Sequence, residues 1–172
     1  MRLLFNIDTQ DYDINGKAFI RHSSRCIIIK DKKIAMIHSL KYNYYKFPGG
    51  GIENNESKED ALIRETLEEA GLKVIPSSIK EFGYVHRIQK DYRPGYDYFI
   101  QDNFYFIAEV ENEIINQKLD AYEQDEQFTL EFVDPNDAII INRFFKHGPK
   151  STLMLEREAK VLELLLQEGY FK

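Results

Sequence analysis

The chain has 172 residues, 43% of them hydrophobic, with abundant Tyr and Phe, no Trp and a net charge of −6. That length suits one domain, residues 1–172, with a sizeable core, and the acidic balance argues against non-specific nucleic-acid binding, which needs a basic surface. One cysteine excludes an internal disulfide, no apolar run approaches the ~20 residues of a membrane span, and the soon-polar N-terminus does not fit a signal peptide; a cytoplasmic protein is expected.

Residues 2–7 read as a first strand and 8–16 as a polar loop. The β-rich runs 18–30 and 33–39 meet at Asp31-Lys32, a pair suited to a hairpin. Cys26 begins the apolar run Cys26-Ile27-Ile28-Ile29, which points to a buried strand thiol rather than a nucleophile. Residues 40–56, with Pro48 and three glycines, read as a loop. Ser57 with Asp60 marks a helix entry and Gly71 an exit, which predicts a helix over 57–70. Val74-Ile75 starts a short strand that Pro76 ends. Two long strands, 79–88 and 98–110, flank a polar loop, 89–97, that holds Arg93, Pro94 and Gly95. Residues 111–125 are acidic and irregular, and 128–133 form a last strand. Asp134-Pro135 opens a helix that His147-Gly148-Pro149 breaks, and Ser151 caps a final helix to 167. Strands dominate the first two-thirds, so the pattern is mixed α/β rather than the regular alternation of a doubly wound fold.

The 57–70 helix carries the chemistry. Glu65, Glu68 and Glu69 stand at i, i+3 and i+4 and fall on one face with Arg64. Leu62, Ile63, Thr66, Leu67 and Ala70 face the other way, toward a core. Glu68 and Glu69 occupy the last turn, where the helix dipole favours Lys or Arg. Like charges there also repel. A bound hard cation explains the cluster, because Mg²⁺ prefers carboxylate oxygens and works through them on phosphate.

The stretch Gly50–Leu72 resembles the Nudix box, GX5EX7REUXEEXGU with U a bulky apolar residue. Gly50, Glu56, Arg64, Glu65, Glu68, Glu69 and Gly71 match every fixed position, and Leu72 fits the last U. Thr66 at the other U is the one departure, and it touches packing rather than the acids. The resemblance implies an α/β/α sandwich with a mixed, partly curled sheet. It also implies hydrolysis of a nucleoside diphosphate linked to another moiety, with Mg²⁺ or Mn²⁺. By position, Glu68 and Glu69 would be metal ligands, Glu65 a ligand or the base, and the carbonyl of Gly49 or Gly50 a further ligand. Arg64 and Glu56 would form a supporting ion pair. Glu126, six residues before Phe132-Val133, is the candidate for a further acid, with Glu123 and Asp125 as competitors.

The substrate is less legible. Subfamilies with a proline some fifteen residues past the box would place it near Arg87, and none is there. Arg87, Lys90 and Arg93 could meet phosphates, and Tyr84, Tyr96 or Tyr98 could stack on a base, although strand aromatics more often pair with one another. His22, His38, His86 and His147 show no metal spacing. The partner expected is a nucleotide-type small molecule, with no membrane, and a homodimer is compatible with the sequence. A nucleotide-binding module without catalysis is the rival, disfavoured because no box acid is lost. An RNA-directed enzyme lacks a visible basic tract.

Overall fold

The computed structural model describes residues 1–172. Its elements are, in order, β1 (Leu3–Asp8), β2 (Ala18–Ile20), β3 (Ser23–Ile27), β4 (Ile29–Lys30), β5 (Lys33–Ser39), β6 (Tyr44–Lys46), β7 (Gly49–Gly51), α1 (Lys58–Ala70), β8 (Leu72–Val74), β9 (Lys80–Lys90), β10 (Tyr98–Ile107), β11 (Val110–Ile114), α2 (Ala121–Asp125), β12 (Phe128–Val133), α3 (Pro135–Phe144) and α4 (Thr152–Gln167). The main sheet runs β1-β9-β10-β3-β7, with β2 also on β10. It is mixed: β1 is parallel to β9, and β10 is antiparallel to β9 but parallel to β2 and β3. A second sheet orders β12-β5-β4 with β6 on β5, and β8 pairs with β11.

The apolar runs of β3 and β5 are buried on both faces, which is why they do not alternate with polar residues. Ile27, Ile34 and Met36 pack with Ala138 and Ile139 of α3 and with Leu162 and Leu165 of α4. Their neighbours Cys26, Ile28, Ala35 and Ile37 pack the other way, with Leu62 and Ala70 of α1. Helices therefore cover both sides of the strands, and the α/β/α sandwich with a mixed sheet is present. No helix is long and apolar enough to cross a membrane.

Local signals account for most boundaries. Ser57 Oγ accepts from the Asp60 N–H at 3.0 Å, and Gly71 ends α1 at φ 66° with its N–H on Leu67 O. Asp31 and Lys32 both have positive φ, 52° and 60°, as a two-residue hairpin of primed type requires. Asp134 and Ser151 cap α3 and α4.

Three expected segments differ. The run 18–30 is three strands, because the chain shifts at Arg21-His22 from pairing Ala18–Ile20 to pairing Ser23–Ile27 along the same strand, β10. The loop 40–56 contains β6, which folds back on β5 as a hairpin, and β7, which pairs with β3. Asn142 acts as a strand substitute: its Oδ1 accepts from Tyr45 N and its Nδ2 donates to Tyr45 O, both at 2.8 Å. Phe47 N donates to the buried Glu158 at 2.8 Å. The irregular 111–125 contains most of β11 and the short α2.

Thr66 is fully buried in α1, where its hydroxyl has no nitrogen or oxygen partner and only the Cys26 thiol, a weak one, beside it. Thr66→Val should keep the shape and remove a poorly satisfied polar group. We expect stability to rise by roughly 1 kcal/mol, read as a higher urea midpoint at unchanged slope; a lower midpoint would mean the hydroxyl is satisfied in solution.

Candidate active site

Arg64 organises the site. Its Nε and Nη2 bind the two oxygens of Glu56 at 2.7 and 2.9 Å, and Nη2 also donates to Gly51 O at 3.1 Å. Its Nη1 binds Glu65 at 2.6 Å and approaches Glu68 at 3.4 Å. One guanidinium thus ties the glycine strand β7 and the loop after it to two of the helix acids, through the bidentate geometry only Arg offers. Glycine is required on the facing strand. A Cβ on Gly50 would run into the Glu65 carboxylate, and Gly49, at φ 139°, lies against the backbone of Ser24.

Glu69 does not stand with the other two. It is 1% exposed, its Oε2 accepts from Gly49 N at 2.9 Å, and its Oε1 is paired with Lys46. The helical arc of acids therefore bends around β7: Glu65 and Glu68 face Arg64, while Glu69 is turned inward. Arg25 completes this inner side, donating to Gly49 O at 2.6 Å. Burial pushes the Glu69 carboxyl up to about 7, against the pull of Lys46 and Arg25. Burial also raises Glu65, outweighing Arg64.

As the side chains lie, no three acidic, His or Cys groups converge in a metal-holding geometry. Tethered cations, Arg64 and Lys46, sit on the carboxylates instead. The donor set nonetheless fits Mg²⁺ or Mn²⁺. It is made of carboxylate and carbonyl oxygens, including the buried Glu69, whose carboxyl burial raises despite Lys46 and Arg25.

Two clefts meet at β7. A cleft of about 1290 Å³ is lined by Glu56, Arg64, Glu65 and Glu68, with Lys58 and Lys118 also on its walls. A smaller one of about 320 Å³ is lined by Arg25, Lys46, Arg87 and Arg93, with Gly49 and Gly50 along one side. Arg21 and Gly51 border both.

The remaining candidates are spread more widely. Glu126 is 4% exposed and is taken up by Tyr44 Oη at 2.7 Å, Ser39 Oγ at 3.3 Å and Lys150. Glu123 caps α2 and accepts from Tyr122 Oη at 2.9 Å, and Asp125 pairs with Lys41 at 2.6 Å. None of these three acids lines either cleft. Arg87 and Arg93 both line the smaller one, whereas Lys90 does not. Tyr84, Tyr96 and Tyr98 pair with Phe104, Phe19 and Tyr12. His38 binds Glu131 at 2.7 Å, His86 binds Asp102 at 2.7 Å, and His147 meets two backbone carbonyls.

A family model described as NUDIX domain matches residues 20–155. This chain belongs to the Nudix hydrolase family. It is 31% identical over 130 residues to the RNA pyrophosphohydrolase of a Nitratiruptor species, covering 74% of this chain and 77% of that protein. It is 29% identical over 62 residues to the uncharacterized Nudix hydrolase YvcI of Bacillus subtilis, a match that spans 36% of this chain and 39% of that protein. The fold is shared with a NUDIX hydrolase from Nitrosomonas europaea at TM-score 0.57 and 17% identity, over 83% of this chain and 90% of that one.

The Nudix box left two site cations unread, Arg25 and Lys46. Each carried a signal. Arg25 interrupts an otherwise buried run, and Lys46 sits between aromatic residues and Pro48-Gly49.

The Glu69 environment predicts a pH dependence. A carboxyl that titrates near 4.5 in the unfolded chain and near 7 in the folded one holds its proton better when folded. Its contribution to stability therefore falls as pH rises through that window. Melting the metal-free protein from pH 4.5 to 8 should show this fall. Glu69→Gln, though destabilised overall by leaving Lys46 buried without its partner, should lose that part of the slope. Parallel pH profiles for the two proteins would overturn the assignment.

Proposed function

We propose that this protein is a divalent-metal-dependent pyrophosphohydrolase of nucleotide-type substrates. The observation that carries the reading is that Glu56, Arg64, Glu65 and Glu68 of the intact box frame the larger cleft, with Glu69 buried behind them against Gly49, rather than forming a solvated helix face. Glu65, Glu68, Glu69 and the Gly49 carbonyl would hold the cation. When bound, it would neutralise phosphate charge and make an attacking water more acidic. Lys46 and Arg64 would then relinquish their present carboxylates, and their positive charge would turn to the substrate. Glu65, with its raised pKa, is suited to take the water's proton. Lys58 and Lys118 on the cleft walls can meet phosphate oxygens. Arg87 and Arg93 would bind substrate in the adjoining cleft. Glu126 would join a metal only by leaving Tyr44 and Lys150, so we assign it the lesser part of a reserve ligand.

A Nudix-fold binding module without catalysis fits less well, since every box acid is kept. The likeness to an RNA pyrophosphohydrolase adds RNA to the substrates worth assaying, beside nucleotide sugars, dinucleotides and nucleoside triphosphates. A cytoplasmic setting, where such substrates occur, suits this reading.

Two measurements test it. The double variant Glu68→Gln, Glu69→Gln should lose roughly 100-fold or more of Mg²⁺-dependent hydrolysis while its circular dichroism stays folded; retained hydrolysis would sink the metal-site reading. Arg93, whose guanidinium lies 4.1 Å over the Phe19 ring at the edge of the smaller cleft, stands away from the acids. Arg93→Ala should raise KM more than it lowers kcat, and unchanged kinetics on the true substrate would remove it from the site.

A further inference from the structure

The smaller cleft gathers the arginines that lack a carboxylate partner. Arg2, Arg64, Arg93, Arg143 and Arg157 each have a carboxylate within ion-pair range. Arg21, Arg25 and Arg87 have none, and all three line this one cleft. In a chain with more acids than bases, such convergence is unexpected unless something outside the chain supplies the negative charge.

The neighbours do not supply it. Arg87 Nε donates to the neutral Gln89 amide at 2.8 Å. Arg25 spends Nη1 on the Gly49 and Phe47 carbonyls, and its Nε is buried with no partner. The cleft's only carboxylate is Asp91, whose Oδ1 accepts from the Arg93 N–H at 3.0 Å and lies 3.8 Å from its guanidinium, while Oδ2 is buried without a partner; one carboxylate does not balance the arginines gathered here. Lys46 is committed to Glu69. Burial and the nearby Arg157 push the Arg87 guanidinium down to about 10, as expected for a desolvated cation facing other cations. A guanidinium held this way is ready to receive a tetrahedral oxyanion with paired donors.

The cleft is built into the sheet rather than laid on the surface. Arg87 on β9, Gln101 on β10 and Ser23 and Arg25 on β3 project from one face, because Gln101 pairs with Arg87 and Asn103 with Ser23 in register. Arg21 and Gly51 separate this cleft from the box acids and line both. A ligand lying across Gly51 can reach Glu65 and Glu68 with one part and Arg87 with another.

We propose that the smaller cleft is an anion subsite holding a phosphate group of the substrate other than the pyrophosphate whose bond is broken. This rests on the hydrolase reading above and narrows its substrate class. Two sources share that chemistry: a longer polyphosphate tail, or a phosphate ester on the linked moiety.

The test is binding to the metal-free protein in EDTA, so that no hydrolysis intervenes. Calorimetry would compare ATP with ADP, and NADPH with NADH; the members of each pair differ by one phosphate. The wild type should prefer the phosphate-richer member of one pair by roughly tenfold or more, the worth of a charge-assisted bond. The pair that shows the preference identifies the source. Arg87→Gln should abolish the preference, and Arg87→Lys should restore part of it. The hydrolysis-deficient Glu68→Gln variant should retain it, which separates this subsite from the metal site. If neither pair shows a preference in the wild type, or if Arg87→Gln keeps it, the subsite is overturned. Loss of the preference in Glu68→Gln with retention in Arg87→Gln would place the phosphate on the acid side instead.

Discussion

The buried carboxylate of Glu69 is the constraint on which the site depends. A carboxylate removed from water needs donors and positive charge, and its own helix offers neither, since α1 ends without a basic residue. The donors come from β7 and its flank: Gly49 N–H and Lys46. That demand brings the glycine strand against the end of the helix. The strand can come so close only because Gly49 and Gly50 have no side chains. Arg25 then grips the Gly49 carbonyl from β3, and Arg64 grips Gly51 and Glu56 from the far side. Strand, helix and loop are locked by charges rather than by apolar packing, and this leaves their oxygens close to one another at a cleft edge.

The same lock parts two surfaces of different charge. One side of β7 is mixed, with Glu56, Glu65 and Glu68 beside Arg64, Lys58 and Lys118; on the other, Arg25, Arg87 and Arg93 outnumber the single carboxylate, Asp91. The acids of the first side are already paired with Arg64, so a cation placed there would have to displace that guanidinium, whereas Arg87 on the second side has no carboxylate to give up.

Legibility followed the range of the physics. The box helix, its caps and the Asp31-Lys32 turn are local, and Ser57, Gly71 and the two positive φ values stand where the sequence placed them. The burial of the end of β3 and of the strand after the turn was visible in the apolar residues Cys26–Ile29 and Ile34–Ile37. The strands β6 and β7 were not: β6 is only three residues long and its far edge is completed by the Asn142 side chain, and β7 is three glycines, poor strand formers, held by β3. In the site, helical periodicity placed Glu65, Glu68 and Glu69 on one arc. It could not show that Glu69 turns inward, since that depends on Lys46, which lies 23 residues earlier in the chain.

Arg21, Arg25 and Arg87 illustrate the deeper limit. Arg21 and Arg25 stand four residues apart with no further Lys or Arg between them, and Arg87 lies 62 residues on, so no basic tract can be read. Sheet register brings Arg87 to the pair. β10 lies between β3 and β9, parallel to one and antiparallel to the other, so positions far apart in the chain come to share one face. On the reading proposed above, the box acids, a contiguous motif on one helix, would hold the bond to be broken, while what accompanies that bond would be met by side chains that no contiguous motif contains. The face that would meet it gathers three guanidiniums with no carboxylate in ion-pair range, and a phosphate is the group whose charge and geometry match them.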